Sequence, residues 1–72
     1  MTHITPADEA TIRRFAADVR ERGSRGVSPA LRAEVRGILL RAHLAAAAEC
    51  RQAGRLQEAQ THIAWVNRLG AE

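Results

Sequence analysis

Residues 28–54, SPALRAEVRGILLRAHLAAAAECRQAG, decide how this chain folds. Ser28-Pro29 opens the stretch. The serine hydroxyl can accept from a first-turn N–H that has no partner in the helix, and proline gives up an N–H that would be orphaned there anyway. Gly54 closes it, because glycine reaches the left-handed conformation that ends helices without steric cost. The run Ala45–Ala48 is strong helix material. A helix over about 29–53 is expected, on the order of 37 Å long. That is long for a chain of 72 residues.

This helix carries two apolar seams. Leu31, Val35, Ile38, Ala42 and Ala45 recur at steps of four, three, four and three, with Leu39 and Ala46 beside them. Ala33, Gly37, Leu40, Leu44 and Ala47 repeat the same steps roughly opposite, at 100° per residue. A helix with two apolar sides has neighbours on two sides. The second seam opens with small residues that let another backbone come close. Gly37 costs roughly 1 kcal/mol against alanine within a helix, so it marks either close packing or a kink.

Working outward, a shorter helix is expected over about 6–22. Thr5 is its N-cap, Pro6 its first residue, and Asp8 completes a loose capping box. Asp8 and Glu9 face the positive end of the helix dipole, Arg20 and Arg22 the negative end. Its apolar stripe is Ile12, Phe15, Ala16 and Val19, and the helix stops at Gly23. Residues 23–28 form a Gly- and Ser-rich flexible link. After Gly54 a third helix over about 55–69 folds back antiparallel. It buries Leu56, Ala59, Ile63 and Val66, with Trp65 and Leu69 to one side. β-Branched residues nowhere alternate as strands require. The expected fold is all-α: one three-helix domain over 1–72, with a long central helix and a C-terminal antiparallel helical hairpin.

Composition narrows the function classes. All 11 basic residues are arginine, against 8 acids, and alanine occurs 15 times. A GC-rich coding sequence produces this bias unaided; selection for arginine's planar fork produces it too. No apolar run approaches the roughly 18 residues of a membrane span, and no apolar signal-peptide core stands at the N-terminus. A cytoplasmic location is expected, without membrane association. Cys50 is the single cysteine, so no internal disulfide forms.

The segment Ala53-Gly54-Arg55-Leu56-Gln57-Glu58-Ala59 resembles the turn and second-helix start of a tetratricopeptide repeat, in which a turn glycine is followed by a Glu-Ala pair. Ala46 and Ala47 match its small-residue helix contact in part, and Ile63 falls where the family places an aromatic. His43, Cys50 and Val66 stand where the family favours Trp, Tyr and Ala, and no terminal proline follows. The resemblance covers about one repeat, the last 33 residues, whereas arrays need about three. It implies a repeat-like α-hairpin that binds protein or peptide and has no catalytic activity.

The residues that carry chemistry are sparse. His43 and Cys50 share one helical face but lie about 10 Å apart along the axis. Ligands of one zinc sit about 2.0–2.3 Å from the metal, so these two cannot share it directly. His62 can approach either one, and His3 lies near the N-terminus. No metal or cofactor is expected. Cys50 as a nucleophile needs a base and an oxyanion pocket, and the carboxylates show no isolated pair for acid–base work. An enzyme is not expected.

Charge is distributed unevenly. Residues 20–41 hold six arginines and two acids, whereas residues 42–72 hold three of each sign. Arg20, Arg22, Arg25, Arg32 and Arg36 are the candidate contacts for a partner or for nucleic-acid phosphates. Trp65 either closes the core or serves as a binding hot spot. A single core this small is marginal without a staple or a partner. The leading expectation is therefore a non-enzymatic interaction or regulatory protein. It forms a homodimer through Ala33, Gly37, Leu40, Leu44 and Ala47 and binds a further, unidentified protein. The alternative is a small basic nucleic-acid-binding regulator that uses the arginines of residues 20–41.

Overall fold

A computed structural model describes residues 3–71. Three helices follow one another: α1 Pro6–Arg22, α2 Pro29–Gln52 and α3 Leu56–Gly70, with a short 3-10 turn at Ser24–Gly26. The described residues contain no strand. No helix among them is long and apolar enough to cross a membrane.

The helix ends follow from local chemistry. Thr5 caps α1: its hydroxyl accepts from the Asp8 N–H at 3.1 Å, while the Asp8 carboxylate accepts from the Thr5 N–H at 3.2 Å. Aspartate thus closes the reciprocal box that longer acidic or amide side chains usually close. The Ser28 hydroxyl accepts from the Leu31 N–H at 3.1 Å and caps α2. Gly54 takes φ +79, the left-handed region that disfavours a side chain. Around it the Arg55 N–H donates to the Cys50 carbonyl at 2.8 Å and the Gly54 N–H to the Arg51 carbonyl at 3.1 Å. That pair of bonds is a Schellman stop.

Arg55 is also the N-cap of α3, and its side chain does not cap the helix. Serine at this position would stand three residues before Glu58, the spacing of a full capping box. Arg55→Ser is expected to stabilise the protein by roughly 0.5–1 kcal/mol. It removes the Arg55–Glu58 ion pair at 3.2 Å, but both side chains are more than half exposed and such a pair contributes little. Thermal melting followed by circular dichroism should show a rise of several degrees for a domain of this size. A lower midpoint would show that the ion pair outweighs the cap.

The chain divides into two compact units, Met1–Ile38 and Leu39–Glu72, with the boundary inside α2. In the first unit Val27, Leu31, Val35 and Ile38 are buried. Three of the four belong to the first apolar seam of α2. Val27 comes from the stretch read as a flexible link, where its side chain is drawn inward beside the 3-10 turn. Within α1, Ile12, Phe15 and Val19 are half-buried and Ala16 is exposed.

In the second unit Ala42, Ala47, Cys50, Ala59 and Leu69 are buried. Ile63 and Val66 are half-buried. Leu56, expected inside, is 61 % exposed. It is the first residue of α3, directly after the turn, and the inward position of that turn of helix goes to Ala59. Leu69, placed to one side of the stripe, is buried instead.

Candidate functional site

Among the described residues, a cluster of interacting polar and aromatic side chains lies in the second unit. His43 on α2 meets His62 on α3, with their Nδ1 atoms 2.8 Å apart. At that distance one Nδ1 donates and the other accepts. A neutral pair therefore holds one ring as the Nδ1–H tautomer and the other as the Nε2–H tautomer. The ring centroids are 5.1 Å apart and tilted by 42°. His43 also stacks on Trp65, with centroids 5.8 Å apart and planes 7° from parallel. Arg68 sets its guanidinium 5.5 Å from the centre of the Trp65 ring, within range of a cation–π contact. Helical spacing brings these groups together: His62, Trp65 and Leu69 follow one another at steps of three and four.

Burial, and secondly the charge on His62, holds the proton affinity of His43 below the ordinary histidine value of 6.5. The two effects act in the same direction. A half-buried ring that faces a second imidazole is a poor place for another positive charge.

Towards the turn, the Cys50 thiol donates to the Glu58 carboxylate at 3.7 Å, and Arg55 reaches the same carboxylate. Cys50 is buried. Its neighbour is an acid already matched by an arginine, not the adjacent base that activates a thiol nucleophile. Among the described residues no three His, Cys, Asp or Glu side chains gather to hold a metal ion. A depression of about 420 Å³ at the start of α3 is lined by Gly54, Arg55, Leu56, Gln57 and Glu58.

Of the second seam of α2, Ala33 and Gly37 are exposed, Leu40 is half-buried and Leu44 is 55 % exposed. A Cβ added at Gly37 would meet nothing within 4 Å, so no neighbour within the chain requires glycine there. Ala47 is 5 % exposed, so the seam's last member is already covered in the chain itself.

Of the arginines, Arg20, Arg22, Arg25 and Arg32 are exposed and Arg36 is half-buried. Arg32 donates to the Ser24 carbonyl, which joins the start of α2 to the 3-10 turn that carries Arg25. Arg14 pairs with Glu34 across α1 and α2 at 3.4 Å. Trp65 is 44 % exposed, with part of its ring against His43 and part open to solvent.

The sequence allows His62 to approach His43, but it does not give the stack of His43 on Trp65. Its signal was present but weak: His62 and Trp65 are three apart on α3, and a stacked partner for Trp65 is a natural use of an aromatic ring on α2. Comparison with protein-family models, curated proteins and solved structures finds no match for this chain.

Proposed function

We propose that this is a small non-enzymatic helical interaction or regulatory protein that acts as a homodimer in the cytoplasm. Leu44 carries the reading. A leucine 55 % exposed in the middle of a helix leaves apolar surface in water, and burial against a partner recovers roughly 25 cal/mol per Å². Ala33, Gly37 and Leu40 continue the seam at helical spacing, and the open space at Gly37 suits a close helix from a second copy. Ala47, the last residue of the seam, is covered within the chain. α2 and α3 pack in a hairpin-like way, and the resemblance of residues 53–59 to a tetratricopeptide repeat implies a form that serves binding. Trp65, half open on α3, offers a second surface for the further protein partner.

The test is molar mass in solution. Size exclusion with light scattering should give twice the 7.9 kDa of one chain for the wild type and one chain for Leu44→Glu, with helical content unchanged. A monomeric wild type at the highest concentrations reached would end the homodimer reading.

The exposed Arg20, Arg22, Arg25 and Arg32 of the first unit favour a second reading, nucleic-acid binding. Binding of labelled duplex DNA or RNA that weakens steeply between about 50 and 200 mM salt would support it, since phosphate contacts release counterions. No binding at the lower salt rejects it.

A further inference from the structure

We propose that His43 and His62 form a proton-operated latch between α2 and α3, closed while the pair carries at most one proton beyond neutrality and open when both rings are charged. The proposal is independent of the homodimer reading, because both rings lie in one chain and within one compact unit.

The Nδ1···Nδ1 separation of 2.8 Å sets the rule. A neutral pair shares one hydrogen between the two atoms. Adding one proton leaves the bond intact: an imidazolium donates from Nδ1 to a neutral imidazole, as a charge-assisted hydrogen bond. A second proton leaves two N–H groups pointing at each other, with no acceptor between them and two positive charges a few ångströms apart. Contact at 2.8 Å is then repulsive, and the rings must separate. His43 is also stacked on Trp65, so moving its ring disturbs that stack.

The acid one turn before His62 on α3, Glu58, is already engaged by other groups: Arg55 at 3.2 Å and the Cys50 thiol. Arg68, over the Trp65 ring, adds positive charge to the same group. On α2, Arg36 and Cys50 lie two turns to either side of His43, about 10 Å along the axis. Arg41 and Glu49 lie more than about 100° round α2 from it.

The direction of the pH effect follows. His43 binds its proton less readily in the folded chain than in the unfolded one. The unfolded chain therefore takes up more protons as pH falls past the ordinary histidine value of 6.5, and stability is lost from there downwards. The contribution is fully present above that value and gone below the lowered one.

The experiment is an NMR pH titration of the histidine ring signals of the intact protein, with the emission of Trp65 recorded in parallel. Trp65 is the single tryptophan of the chain, so its fluorescence reports directly on the stack. The latch predicts that the pair takes up its two protons in two resolved steps, and that Trp65 emission changes with the lower step only. In His62→Gln the amide can still bond to His43 but cannot become a cation. There the His43 step should move back towards 6.5, and the acid change in Trp65 should disappear. Coincident titration of both rings in the wild type, with Trp65 emission flat across it, overturns the proposal whether or not the variant folds.

Discussion

Leu31→Ala is expected to destabilise the protein by about 2–5 kcal/mol. Leu31 is 6 % exposed and begins the buried row of α2 in the first unit, ahead of Val35 and Ile38. Truncation removes three carbon atoms from that row and leaves a void that a well-packed surround fills only in part, so lost transfer energy and cavity cost add. Alanine's better helix propensity returns a few tenths of a kcal/mol at most. For a domain of this length each kcal/mol lowers the melting midpoint by roughly 4–8 °C, so a drop of about 8 °C or more is expected. Leu56→Ala is the matched control: the same atoms are removed from a side chain 61 % exposed, and the midpoint should barely move. Equal losses in the two variants would mean that Leu31 is not part of the core.

Ala59→Leu is expected to destabilise by about 1–3 kcal/mol, through the opposite fault. Ala59 is 2 % exposed, the lowest value among the buried apolar residues. A branched four-carbon side chain has no room there without moving its neighbours. The strain falls in the unit that holds His43 and His62, so Trp65 emission should change together with the melting midpoint. Ala64→Leu makes the same substitution on the same helix at an exposed position and should be close to neutral. If both variants melt like the wild type, the small side chain at residue 59 is not a packing requirement.

These two positions mark the limit of what could be read without a structure. The row Leu31, Val35, Ile38, Ala42 and Ala45 was legible because burial on one face of a helix leaves a 3.6-residue period in the sequence; the first four are buried and Ala45 is half-buried. Thr5 with Asp8, Ser28 with Pro29, and Gly54 were legible for a simpler reason. Capping is a contact between residues three or four apart, so the signal and its partner sit in the same few letters. Val27 was not legible, since a single valine in a Gly- and Ser-rich link has no period to reveal it. Leu56 was misjudged because apolar character alone does not tell which turn of a helix stands clear of its neighbour.

The second seam of α2 shows the same limit within one helix. Its spacing was plain, yet Ala47 is buried while Leu44, three residues earlier, is 55 % exposed. Periodicity names the residues that share a face. It does not say where along that face α3 reaches.

Helix number, the ends of α1 and α2 and most of the main buried row were therefore determined by the sequence itself, through capping chemistry, glycine conformation and the period of apolar residues; α3 has no side-chain cap and runs on through Gly70. The tertiary structure alone decided which apolar side chains stay in water, and that His43 meets His62 across 19 positions of chain. That contact depends on how α3 is rotated about its own axis against α2. Long-range packing of all the side chains together sets this rotation, and no local pattern of residues encodes it.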